Sequence, residues 1–84
     1  VKEMKIADAT IEIMKKEDIQ IIIPFLDESI CFEILKLANK RESKGKGLKR
    51  IQNTCRRVAN ALEKDKRFEK FIHVTGKRAF ELKD

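Results

Sequence analysis

Within LKRIQNTCRRVANALEKDKRF, residues 48–68, polar side chains able to hold another molecule recur at helical spacing. Asn53, Arg56 and Asn60 stand at i, i+3 and i+7, so on a helix turning about 100° per residue they project from successive turns of one face. Asparagine offers paired donor and acceptor, and arginine a fork of donors. Those are the groups that match base edges in a major groove. Lys49, Arg57 and Lys64 lie on or beside the same face, which meets no carboxylate before Glu63. A merely solvated face would more usually alternate Glu with Lys to gain i,i+4 pairs. Just ahead, Lys44, Lys46, Lys49 and Arg50 gather at the start of this helix, where free backbone N–H groups favour a phosphate. Lys77 and Arg78 stand beside Gly76 near the C-terminus, a second place for cations to meet a nucleic-acid backbone or minor groove. The expected contact set is therefore Lys44, Lys46, Lys49, Arg50, Asn53, Arg56, Arg57, Asn60, Lys77 and Arg78.

Other chemistries find less support in the sequence. The single histidine, His73, has no acid or nucleophile arranged around it. Asp27 and Glu28 are adjacent and suit a helix N-terminus better than general acid–base work. SKGKGLKR superficially resembles a phosphate loop but lacks the full G-x-x-x-x-G-K-[ST] pattern and follows a helix rather than a strand. Neither catalysis nor a cofactor is expected. Cys31 and Cys55 form no C-x-x-C pair and sit on apolar helix faces, so both are expected as free buried thiols in a reducing, intracellular compartment, nuclear or nucleoid-associated.

These side chains need a scaffold, and 84 residues supply one small domain spanning 1–84, burying roughly 60–65% of its unfolded surface. A hydrophobic fraction of 42% suffices for its core, while 40% charged residues and a net charge of +6 favour a polyanionic partner. The longest apolar run, Ile19 to Leu26, is broken by Gln20 and Pro24 and is far short of a membrane span. The chain opens on Val1, as a processed product or a domain of a larger protein would.

The periodicity predicts a first amphipathic helix over Lys5 to Glu17 with Ile6, Ala9, Thr10 and Ile13 inward. IQIIIP predicts a short buried strand, Gln20 to Ile23, stopped by Pro24; continuation of the first helix is the alternative. Asp27 or Ser29 caps a second helix that buries Ile30, Ile34, Leu37 and Ala38 and ends near Arg41. RESKGKG reads as a mobile basic loop. The third helix follows with Ile51, Cys55, Val58 and Leu62 on its core stripe. A terminal hairpin turns at Gly76, with Ile72 and Val74 on one strand and Phe80 and Leu82 on the other. Phe25, Phe32, Phe68, Phe71 and Phe80 are expected in the core.

Helix, short strand, two helices and a hairpin give an α+β winged helix-turn-helix, with the hairpin as the wing. IADATIEIMKKE in the first helix and RRVANALEKDKRFEKFIHVTGKRAFEL, from the third helix through the D-x-RF approach to the wing, resemble the winged helices related to the HARE-HTH domain and the delta subunit of bacterial RNA polymerase. IIIPFLDES and the long glycine-bearing loop depart from that pattern. The resemblance implies a role in transcription or chromatin-associated regulation. Double-stranded DNA is the expected partner, with the third helix in the major groove. The alternatives are RNA on the same basic face, or a protein-interaction module in a transcription or nucleic-acid-processing complex. The last would expose an apolar patch around Ile21, Phe25 and Leu26.

Overall fold

Both of the first two helices end by the same device. α1 (Ile6–Lys16) stops where Asp18 takes a left-handed φ of 56°, so that the amides of Asp18 and Ile19 turn back onto the carbonyls of Lys15 and Met14. α2 (Glu28–Leu37) stops where Asn39 does likewise at φ 58°, with Asn39 and Lys40 bonded to Lys36 and Leu35. These are Schellman closures, and Asp and Asn tolerate the left-handed residue that each requires. They exclude continuation of the first helix into IQIIIP and end α2 ahead of the expected Arg41.

In this computed structural model, which describes residues 2–83, the chain is α+β. β1 (Ile21–Ile22) follows α1, and α3 (Leu48–Glu63) precedes a hairpin of β2 (Phe68–Ile72) and β3 (Arg78–Leu82). The sheet is antiparallel in the order β1-β3-β2. β3 is therefore central: Phe80 faces Ile22 on one side and Lys70 on the other. β1 is shorter than expected because the Ile23 amide is captured by the Asp27 carboxylate at 2.9 Å. That carboxylate consequently makes no cap to α2, although Asp27 does occupy the N-cap position.

The helices pack on one another and on β3. Met14, Ile22, Ile34, Val58, Leu62 and Phe80 fill the centre. On α3 the buried stripe is wider than Cys55, Val58 and Leu62: it adds Thr54 and Ala59, while Ile51 is half-buried. Leu37 lies on the exposed side of α2, and Cys31 and Leu35 are buried instead. Cys31 and Cys55 are free, buried and side by side, and burial pushes both thiols up; Cys31 Sγ also donates to the Pro24 carbonyl at 3.4 Å.

The hairpin differs in detail from expectation. β2 begins at Phe68, its only buried residue, and ends before Val74, which stands in the turn at 95% exposure. Phe71 is exposed as well, because it alternates to the side of the sheet facing away from Phe80. Of the other phenylalanines, Phe80 is buried, and Phe25 and Phe32 are half-buried. Gly76 closes the turn at φ 84°, with its amide on the His73 carbonyl and His73 on Lys77, a three-residue loop that requires a left-handed residue there. No helix among the described residues is long and apolar enough to cross a membrane.

Candidate nucleic-acid interface

The cations cluster more tightly than the whole-chain charge suggests. Between Lys40 and Asn60 the chain places eight of its 20 Lys and Arg residues and one of its 14 carboxylates. That stretch carries +7 and the rest −1. It comprises the loop after α2 and most of α3, so the excess positive charge lies on that loop and helix.

Contrary to the mobile loop expected, residues 41–44 are tied down on α3. Arg57 donates to the Arg41 carbonyl at 2.7 Å and to Ser43 Oγ at 3.2 Å. Asn53 Nδ2 donates to the Lys44 carbonyl at 2.8 Å. Thr54 Oγ1 lies 2.9 Å from both Ser43 Oγ and the Arg50 carbonyl. Each hydroxyl has one proton. With Thr54 donating to Arg50, Ser43 donates to Thr54 and accepts from Arg57, so each of these bonds has a donor. Glu42 holds Arg50 at 2.9 Å, and the Arg50 guanidinium stacks over Phe32 with 5.5 Å to the ring centroid. Only the glycine-bearing part, 45–47, remains outside this latch, and Gly47 enters α3 as its N-cap at φ 57°.

The expected contact residues therefore divide. Arg50, Asn53 and Arg57 hold the loop to the helix. Arg78 is the first residue of β3 rather than a hairpin tip, and its guanidinium reaches back to Asn60 Oδ1 and to Glu63, each at 3.0 Å. Its contact, followed by the nearby Lys70 ammonium, holds the Glu63 carboxyl below its usual range. Lys44, Lys46 and Lys49 are exposed, and among the described residues none enters an ion pair. Arg56 is exposed with a long contact of 3.4 Å to Asn53 Oδ1. Asn60 is exposed, whereas Lys77 is half-buried at the hairpin turn.

Asn53 is occupied at both ends, its amide nitrogen by the loop and its oxygen by Arg56, so in this conformation it orients neighbours rather than offering a free edge. Gln52, absent from the expected set, is exposed on the same side as Lys49 and Arg56. The i, i+3 and i+4 spacings among these three were already visible in the sequence. Arg41, also absent from that set, flanks the face from the loop.

Elsewhere the hairpin is anchored by Arg67, which bridges Asp8 at 2.6 Å and Asp65 at 2.9 Å. His73 sits at the hairpin turn, its Nδ1 accepting the Thr75 amide at 3.3 Å with the Thr75 hydroxyl 3.0 Å away. Among the described residues no three His, Cys, Asp or Glu side chains come together in a group able to hold a metal ion. Compared with known protein families, curated proteins and solved structures, the chain matches none.

Proposed function

We propose that the chain is a winged-helix domain that binds double-stranded DNA through α3 and the loop before it. The observation that carries this is the +7 charge between Lys40 and Asn60, with the stretch's single carboxylate neutralised by Arg50. Lys44, Lys46, Lys49 and Arg56 are left facing outward, a footprint suited to a run of phosphates. The three helices followed by an antiparallel hairpin are compatible with the winged-helix layout. α3, at 16 residues about 24 Å long, is of the size that enters a major groove. In such a complex Gln52 would face base edges, and Arg56 and the lysines the backbone. A role in transcription or chromatin-associated regulation follows from the resemblance and is part of the same proposal.

Titration with duplex DNA, single-stranded DNA and duplex RNA at two salt concentrations tests this. With about four to six phosphates neutralised, log K for duplex DNA should fall with log salt at a slope near −4 to −5. Affinity that is indifferent to salt, or stronger for duplex RNA, would remove the DNA assignment.

One observation favours a second reading, a protein-interaction module: Ile21 and Leu26 are 43% and 48% exposed on either side of Pro24. Ile21→Ser together with Leu26→Ser should leave duplex binding intact if that patch serves a protein partner.

A further inference from the structure

Between residues 41–44 and the outward side of α3 runs a cleft of about 420 Å³. Arg41 and Lys44 line it from the loop, and Arg56, Arg57, Asn53 and Asn60 from α3. Its one carboxylate, Glu42, already holds Arg50. The asparagine oxygens are committed too, Asn53 Oδ1 to Arg56 and Asn60 Oδ1 to Arg78, and Ser43 Oγ is engaged with Thr54 and Arg57. The side chains left to a ligand are cationic donors and the amide nitrogen of Asn60.

A base edge presents donors and acceptors side by side and would find few acceptors here. An oxyanion accepts only, and guanidinium groups meet it with charge-assisted bonds. The wall is also set beforehand, because Arg57 is fixed by the Arg41 carbonyl and Ser43. Less order then has to be imposed on binding. Water fills about 30 Å³ per molecule, so the cleft has room beyond a phosphate for the group that carries it.

The geometry points to a phosphate-group site, the cleft taking a phosphate dianion between Arg41, Arg56 and Arg57. Free phosphate and the terminal phosphate of a nucleic-acid strand present this same chemistry. A strand end as the source rests on the DNA-binding function proposed above; the site itself does not.

The experiment is nitrogen-resolved NMR of the Asn53 and Asn60 side-chain amides and the arginine Nε–H groups. Sodium phosphate is titrated in at constant ionic strength, alongside binding of 5′-phosphorylated and 5′-hydroxyl duplexes. Saturable shifts confined to these groups are expected, and Arg41→Ala or Arg56→Gln should weaken phosphate binding roughly tenfold, the loss of one charge-assisted contact. Arg41→Ala keeps the carbonyl that Arg57 uses, and a melting curve for each variant verifies folding; should one fail, the other carries the test. Tighter binding of the phosphorylated duplex, abolished by Arg41→Ala, identifies the strand end. Equal binding of both duplexes with saturable phosphate shifts identifies free phosphate. Phosphate binding without duplex binding would keep the site and overturn the DNA function. Absence of saturable shifts, in protein that still binds duplex, would overturn the site and leave the DNA function standing.

Discussion

Residues 41–57 and the β2–β3 hairpin both carry arginines, and the two regions employ them differently. In the first, Arg57 and Arg50 turn inward onto a backbone carbonyl, a hydroxyl, a carboxylate and a phenyl ring, and the lysines beside them point outward. In the second, Arg78 is drawn back onto α3 by Glu63 and Asn60. Near the hairpin turn two apolar side chains stand outward: Ile72 is 61% exposed and Val74 95%. One region is thus a latched platform with free ammonium groups, and the other a hairpin whose most exposed turn side chain, Val74, is apolar and whose arginine is tied back to α3. Arginine's planar fork suits a fixed bridge, whereas the lysine ammonium is a mobile point charge.

The largest consequence concerns binding. If the free lysines form the platform's phosphate contacts, replacing Lys44, Lys46 and Lys49 together by Ala should weaken duplex DNA on the order of 10²-fold or more at physiological salt and flatten the salt slope by about three units. All three are exposed, so stability should barely move. Fluorescence anisotropy across a salt series measures both. A triple variant that binds as before would shift the interface elsewhere.

Next in size is the latch. Thr54 is buried against Ser43, and Thr54→Val would keep the shape while leaving the Ser43 hydroxyl proton without its acceptor. A loss of about 1–3 kcal/mol in urea unfolding is expected. Faster amide exchange should be confined to residues 41–46, since the hairpin is held by other contacts. A uniform increase across the hairpin as well would mean that the two regions are not independently secured.

The wing's base supplies a smaller, pH-dependent effect. Arg67 hydrogen-bonds Asp65 and holds its carboxyl down to about 2 from an ordinary 3.8. A carboxyl whose folded pKa is depressed stabilises the fold at pH above its unfolded value and ceases to do so as pH falls through the folded one. The loss should therefore fall between about pH 4 and pH 2, and since Arg67 is half-exposed it should amount to only about 1 kcal/mol after solvent screening. Asp65→Asn should remove this part of the acid transition, read by circular dichroism. An unchanged acid profile would detach the Arg67 bridge from the wing's stability.

Much of this organisation was legible in the sequence where one local pattern fixed it. The periods of α1 and α3 and the turn at Gly76 follow from spacing and backbone preference, whereas the early end of β1 at Ile22 depends on the Asp27 carboxylate four residues beyond Ile23. The β1–β3 pairing was not legible either, because a two-residue strand has no pattern from which to read a partner 60 residues away. The latch was missed for a related reason. Arg57 looks solvent-facing on a helical wheel, and only the return of residues 41–44 across α3 supplies its carbonyl. Thr54 stands three residues from Ile51 and four from Val58, but its hydroxyl hides it from an apolar pattern. Hydrophobicity alone argues for burying Phe71 and Val74, but the strand's alternation and the turn put them outside.

The finest distinction separates two neighbours on the wing. Lys77 and Arg78 carry the same charge, but Arg78 is already bonded to Glu63 and Asn60, and in this conformation its guanidinium is held against α3 rather than extended from the wing. Arg78→Ala should therefore leave the salt slope unchanged and cost less than about 1 kcal/mol of stability, as expected for an exposed ion pair. Lys77 is half-buried at the turn, and only its backbone carbonyl has a described partner, the His73 amide. Lys77→Ala keeps that bond, so stability should hold while the slope falls by about one unit if the wing touches phosphate at all. The two variants need matched salt series and unfolding curves on the same preparation. An equal fall in slope for both would mean that Arg78 exchanges Glu63 for phosphate on binding, and the contrast between a tied wing and a free platform would then hold only for the unbound chain.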